Sequence, residues 1–371
     1  MSEYLYQLVR NYLSIEGNKQ VDISKATGIS KPLISMFLDK KGQKDLQFSN
    51  SFAIIRYIEK EDYLDVMDDY CRTLTKPIGI LSSLEYASNF NRRDLLDDLL
   101  SVHQDHKGEV KEWIEIYRFE RDKDLLTSEM AWERCRSLFG KVTIPEALLK
   151  LELIESTLTF KQNFYDMNNF LARTDRKVHV LREGFLKDSL LLKYDLQRAY
   201  DSLYNRIDIQ DAIQNANNIL KSPLASDFIV ASANHLLGHA YQGHSVDLAI
   251  RYLEMAQACY KKANSKKHEE MEQDIAFVLS IHNVIHDRCL SCGDEEEVAH
   301  QHYVRGEVNK AIRLLKNQSQ LSPFGKLYLG LCTKNVHQVF EGYGEMKQSG
   351  NNYFATFFTT KLDSIIRGVG V

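Results

Sequence analysis

The densest group of side chains able to hold or transform a ligand lies in IHNVIHDRCLSCGDEEEVAHQH. There His282 and His286 stand four residues apart, Cys289 and Cys292 form a CxxC pair, and His300 and His302 follow. A histidine pair at i, i+4 together with a CxxC can supply four zinc ligands. A second CxxC is absent, and cysteine and histidine also serve as half-buried packing residues at helix ends, so no metal and no cofactor is assigned here. The sequence holds no glycine-rich phosphate loop, HExxH or GxSxG, and HEEME at 268–272 lacks the second histidine at the spacing a metalloprotease needs. With no catalytic constellation, the expectation is a protein that binds rather than one that catalyses.

The clearest binding chemistry lies in QVDISKATGISKPLISMFLDKKG, residues 20–42. Ile23 and Ala26 are expected on the inward face of a short helix, Gly28 in a left-handed turn that a Cβ would strain, and Ile29 as the anchor of that turn. Ser30 then caps a second helix, Pro32 is tolerated in its first turn, and Leu33, Ile34 and Phe37 supply packing surface. Upstream, Leu5, Leu8, Val9, Tyr12 and Leu13 follow helical spacing and form a support. This is a helix-turn-helix. A recognition helix lays its outward N-terminal residues in the major groove of double-stranded DNA, which assigns Ser30, Lys31, Ser35 and Met36 to base edges. Lys40, Lys41 and Lys44 come next and are assigned to phosphates, which give affinity and register without reading sequence. The alternative is an ordinary three-helix packing unit with a solvated basic loop. Residues 1–50 hold seven Lys/Arg against five Asp/Glu, leaving 40 against 46 for the remainder. An acidic body repels DNA phosphates, so DNA contact is confined to the N-terminal module, whose basic excess is small.

The elements that must position these residues are helical. Only five prolines occur in 371 residues, each where a helical pattern begins or a previous one ends. Ser222-Pro223 and Ser322-Pro323 read as an N-cap followed by a first-turn proline. No succession of alternating strands with hairpin turns occurs. From about residue 145, amphipathic segments recur in pairs: 145–159 with 161–173, 185–204 with 209–221, 226–242 with 245–263, 295–305 with 307–318, and 323–333 with 336–347. The clearest, ASANHLLGHAYQGHSVDLAIRYLEMAQACYKKA, places Leu237, Gly238 and Tyr241 on one helix and Ala249, Leu253 and Ala256 on the next, the small/large alternation of a tetratricopeptide repeat. VAHQHYVRGEVNKAIRLL keeps mainly Gly306, Ala311 and Leu315. The predicted fold is all-α: a helix-turn-helix domain over 1–50, a helical connector with early degenerate repeats over 51–144, a tetratricopeptide-like right-handed superhelix over 145–350, and a C-terminal capping or dimerisation helix over 351–371.

Hydrophobic residues make up 44% of the chain and charged residues 26%, which places it among water-soluble globular proteins rather than disordered or membrane ones. No stretch of 18 uninterrupted apolar residues and no basic, apolar, small-residue leader occurs, so no membrane partner and a cytoplasmic location are expected. Six scattered cysteines do not form a secreted disulfide framework and are expected to stay reduced.

A short helix-turn-helix joined without an obvious linker to degenerate tetratricopeptide repeats resembles the peptide-sensing regulators of Gram-positive bacteria and their phages. Within them it is most similar to the arbitrium receptors, AimR, of Bacillus phages. The resemblance runs through the opening module, MDDYC at 67–71, SSLEYAS at 82–88, HLLGHAY, and EEVAHQHYVRGEVNKAIRLL. It implies a homodimer that binds operator DNA and promotes a lysogeny-antagonising transcript until a short secreted peptide, reimported by the bacterial host cell, occupies the repeats. It further implies that Glu297 meets the amino end of the peptide and that Asn205 helps hold the other end. His239 and Asn352 stand where the family has an asparagine and an aspartate, and Phe228 where it has the arginine that grips the peptide carboxylate.

Elementary chemistry agrees in part, because a short linear peptide needs opposite charges at its ends and amides along its backbone. Glu297 is equally readable as one of three acids favoured at a helix start, and Asn205 as a helix C-terminal residue. Phe354, Phe357, Phe358, Leu362, Ile365 and Ile366 end the chain with an apolar face that is either an intramolecular cap or a dimer contact. The resemblance favours dimerisation, which would present two recognition helices to DNA half-sites. Two other readings stay open: a helical-repeat protein that docks a partner protein, and a ligand-independent DNA-binding repressor.

Overall fold

Prolines and left-handed glycines cut the chain into helices. In the computed structural model, residues 3–39, 45–160, 166–178 and 181–367 are described, with the side chains of residues 160, 166, 168 and 364–367 outside that set. No strand occurs among them. Lys40, Lys41 and Lys44 lie outside the described residues, as do the side chains of Ile365 and Ile366.

Four helices form the N-terminal module: α1 (Glu3–Ser14), α2 (Gln20–Thr27), α3 (Lys31–Asp39) and α4 (Phe48–Ile58). Beyond them run α5 (Tyr63–Arg72), α6 (Pro77–Asn89), α7 (Arg93–Val102), α8 (Glu109–Asp122), α9 (Ser128–Phe139), α10 (Pro145–Phe160), α11 (Asp166–Val178) and α12 (Phe185–Tyr200). The last nine are α13 (Ile209–Lys221), α14 (Asp227–Tyr241), α15 (Val246–Lys262), α16 (Lys267–Ile281), α17 (Glu295–Val304), α18 (Val308–Asn317), α19 (Pro323–Thr333), α20 (Val336–Gln348) and α21 (Asn352–Arg367). The described residues divide into two compact units, one built from 1–155 with 176–191 and the other from 156–175 with 192–371.

In the first unit Leu5, Tyr6, Val9, Ile23, Ile29, Ile34 and Phe37 close the core of the N-terminal module, with Tyr6 edge-on to Phe37 at 6.4 Å. Each such side chain removed from water stabilises the module by about 1.5–3 kcal/mol before entropy is counted. Ala26 differs from expectation: it is exposed, and the inward face of α2 rests mainly on Ile23. Deeper in this unit a charged cluster replaces hydrocarbon. Lys150, 1% exposed, lies 3.2 Å from Glu85 and 2.8 Å from Glu120, and its ammonium sits over the Tyr117 ring at 4.9 Å. Glu85 also accepts hydrogen bonds from Tyr117 Oη and from Ser189 Oγ, and Glu120 from Ser88 Oγ.

In the second unit successive helices pack on one another, α13 on α14, α14 on α15, α15 on α16, α17 on α18 and α19 on α20. Gly238 explains the closeness of α14 and α15, because a Cβ there would come within 2.7 Å of Leu253. Between α12 and α13 the chain makes a π turn, Asp201–Asn205, in which Arg206 N–H donates to the Asp201 carbonyl five residues back. The helix α16 is buried on every side over Ile275–Ile281, which removes the one-sided periodicity by which a sequence announces a helix.

Candidate functional site

The turn of the N-terminal module is built as its sequence dictates. Gly28 adopts φ +72° and its N–H donates to the Ser24 carbonyl, ending α2 with a left-handed residue. Ile29 is buried beneath it, and the Ser30 carbonyl accepts from the N–H groups of Leu33 and Ile34, which places Ser30 at the start of α3. Ser30 and Lys31 are exposed at that start, Met36 is half-buried, and Ser35 Oγ donates to Gln20 Oε1 at 2.9 Å. Lys31 lines a shallow depression with Leu13, Asn18, Lys19, Gln20 and Val21. The exposed leading end of α3 thus offers a cation, a hydroxyl and neighbouring polar groups together, suited to phosphate and base-edge contact.

In the second unit Asp294 caps α17, accepting from the N–H groups of Glu296 and Glu297. That cap turns Glu297 inward. One carboxylate oxygen accepts from Tyr328 Oη, while the other has no hydrogen-bond partner among the described residues and lies 3.7 Å from His300 Nδ1. His300, fully buried, stacks on Tyr328 at 4.0 Å between ring centres, and neither of its nitrogens has a hydrogen-bond partner among the described residues. Burial holds the Glu297 carboxyl well above the usual carboxylate range, and burial, reinforced by Lys361, pushes His300 down to about 3. Burial thus opposes the charged form of each, and both are short of hydrogen bonds, an arrangement that favours an incoming cationic or polar guest.

The structure brings Asn205 and Asn352 into contact. Asn352 Nδ2 donates to the Asn205 carbonyl at 2.8 Å and to its Oδ1 at 3.2 Å, and Lys347 Nζ donates to Asn352 Oδ1. His239 meets the chain neighbours of both: its Nδ1 is 2.6 Å from Oη of Tyr204, and its carbonyl accepts from Tyr353 Oη. Phe354 connects these groups to the Glu297 side, with its ring 5.2 Å from His239 and 5.7 Å from Phe324, which lies 6.0 Å from Tyr328. Phe228 is 39% exposed and carries the Lys267 ammonium over its ring at 5.6 Å.

The aromatic face of α21 is spent largely inside its own unit. Phe358 is buried, while Phe354 and Phe357 pack on Phe277 at 5.6 and 5.7 Å, and Leu362 is half-buried against the same core. These four side chains act as an intramolecular cap, so their availability to a second chain is limited. The cysteine-rich segment does not converge: His282 and His286 are exposed, whereas Cys289 and Cys292 are buried, the Cys289 thiol being pushed up to about 11 by burial. Sequence reasoning passed over Tyr204, His235, Asp274 and Tyr328, and weighed His300 only as a metal ligand. His235 and His239 were legible as an i, i+4 pair within HLLGHAY, but Asp274 comes from the helix that lacks an amphipathic stripe.

None of the curated proteins compared with this chain matches it. Among solved structures, "Structure of SeMet-phAimR" is 18% identical, with 97% of each chain covered and a TM-score of 0.67. "Structure of phAimR-Ligand" is also 18% identical, with 87% of this chain and 98% of that one covered and a TM-score of 0.70. These likenesses establish a shared fold. Residues 64–364 match the family described as AimR transcriptional regulator-like, and the chain belongs to that family.

Proposed function

We propose that the chain is a peptide-responsive, DNA-binding transcription regulator of a phage lysis-lysogeny decision, acting in the cytoplasm of a bacterial host as a homodimer and without a catalytic step. Membership of a family of transcriptional regulators supports the regulatory role. The observation that carries the ligand half of the reading is Glu297: a buried carboxyl with one oxygen unpartnered among the described residues, joined through Tyr328, Phe324 and Phe354 to His239. An ammonium arriving at that oxygen would ionise the carboxyl and form a charge-assisted hydrogen bond. Asn205, His239 and Asn352 supply polar groups for a peptide backbone. Phe228 cannot bind a carboxylate, but Lys267 places a cation beside it. Ser30 and Lys31 at the start of α3 fit base and phosphate contact, and no helix among the described residues is long and apolar enough to cross a membrane.

Peptide controls DNA only by binding the DNA-competent and DNA-incompetent states unequally. A gel-shift titration with candidate hexapeptides reads this directly: operator affinity falls as peptide saturates, and an operator affinity that stays constant removes ligand control. Lys31→Glu reverses charge at an exposed position, so it weakens DNA retention and leaves thermal unfolding unchanged. Retention of full DNA affinity would instead favour a partner-docking role with the N-terminal module as packing.

A further inference from the structure

Two histidines and a carboxylate converge in the second unit, away from the cysteine-bearing segment. His235 and His239 stand one turn apart on α14, so both rings leave the same face, and Asp274 projects from α16. Their ligand atoms all lie within 4.8 Å of one another, the sole set of three or more such groups to do so among the described residues. His235 Nε2 is 3.0 Å from Asp274 Oδ2, and His239 Nε2 is 3.6 Å from Oδ1. A tetrahedral zinc site with bonds of 2.0–2.1 Å sets neighbouring ligand atoms about 3.3 Å apart, and the two nitrogen–oxygen separations, one to each carboxylate oxygen, lie on either side of that spacing.

We infer that His235, His239 and Asp274 form a site for a divalent transition metal of the zinc type, with a fourth position open to water or to a ligand group. Two features favour a metal over a plain ion pair. Both Nε2 atoms are buried without a well-aligned hydrogen bond, although Asp274 is near, so their lone pairs and the carboxylate share one small space. The other nitrogen of His239 faces Tyr204 Oη at 2.6 Å; a proton held on Nδ1 and accepted by that phenol oxygen leaves Nε2 free to ligate, which is the outer-shell support that metal-binding histidines use. The site is open on one side, with the His235 and Asp274 side chains 17% and 28% exposed and that of His239 6% exposed. Two imidazoles favour zinc, cobalt or nickel over magnesium or calcium, which prefer oxygen ligands alone.

The test uses full-length, chelator-treated protein titrated with Zn2+ against a chromophoric chelator, and with Co2+ read by visible absorption. The expected result is one saturable equivalent per chain, a rise in unfolding temperature on adding Zn2+, and a Co2+ spectrum of nitrogen and oxygen ligation. His235→Asn, His239→Asn and Asp274→Asn each remove that equivalent, Tyr204→Phe weakens it about tenfold, and the double variant Cys289→Ser, Cys292→Ser leaves it intact. Because the three ligands come from two helices, failure of one variant to fold leaves the others to answer, and cooperative melting of each metal-free variant reports its folding. The inference is overturned by the absence of a saturable equivalent, by one whose affinity is unchanged in Asp274→Asn and His235→Asn, or by one lost with the cysteines. These readouts track the metal itself, so they are separate from the fate of peptide or DNA binding.

Discussion

Each of the two units buries ionisable groups, and the two do so in opposite ways. Around Lys150 the set of partners is complete: its ammonium meets two carboxylates, and those accept further hydrogen bonds from Tyr117, Ser189 and Ser88. Around Glu297 it stays open, with one carboxylate oxygen and both His300 nitrogens unmatched among the described residues. Buried polar groups raise free energy unless they are paired, so a protein keeps an open set only where something else will complete it. The contrast separates ionisable groups used to fix a structure from ones held ready for a guest.

The largest expected effect breaks the closed set. Lys150→Met strands Glu85 without its cation and destabilises the first unit by about 3–5 kcal/mol, while adding Glu85→Gln recovers part of that loss. Urea unfolding measures both, and a loss below about 1 kcal/mol for the single change would show that the pair contributes little net order. Next, Glu297→Gln should leave stability level or raise it by up to about 1 kcal/mol, since the amide still accepts from Tyr328 and no acid has to be held protonated. Its effect falls on ligand instead, weakening a hexapeptide by about 2 kcal/mol, roughly thirtyfold. Calorimetry on parent and variant decides this; equal affinity would remove Glu297 from the ligand site.

A third expectation concerns acid. The buried His300 is pushed down to about 3, so below the ordinary value of 6.5 the unfolded chain binds a proton that the folded chain refuses. The stability tied to this group is complete above 6.5 and is lost as pH falls from there towards about 3, by up to ~1.4 kcal/mol per pH unit. His300→Phe keeps the stack on Tyr328 and should flatten that decline; parallel pH curves for parent and variant would place the acid sensitivity elsewhere. The smallest effect is Asn352→Ala, which breaks the contact with Asn205 and costs about 1 kcal/mol by thermal unfolding. A loss of several kcal/mol there would mean that this half-buried pair belongs with the closed set.

How much of this was legible depends on how local the signal is. The left-handed Gly28, the anchor Ile29 and the close-approach Gly238 can be read from neighbours a few residues away, and helices α12 to α15 and α17 to α20 lie close to the segments their periodicity marks. Ala26 misled because a short helix with one buried residue has too little pattern to orient it. The Lys150 cluster was invisible, since charged residues are ordinarily solvated and Glu85 and Ser189 are separated by 104 positions. Glu297 was found through resemblance. Tyr328 and the place of His300 beside it were missed, because a stacked pair across two helices leaves no spacing rule behind it. Asp274 was hidden by the uniform burial of the end of α16.

The π turn at Asp201–Asn205 carries a consequence for inheritance. Its i+5 hydrogen bond accommodates one residue more than a regular helix would, and Tyr204 and Asn205 reach His239 and Asn352 from that widened loop. Deleting any one residue there would let the ladder re-form as an α-helix and rotate the downstream side chains by about 100°, carrying the phenol and the amide off their partners. Drift in this segment is therefore held to its length as well as to the side chains of Tyr204 and Asn205.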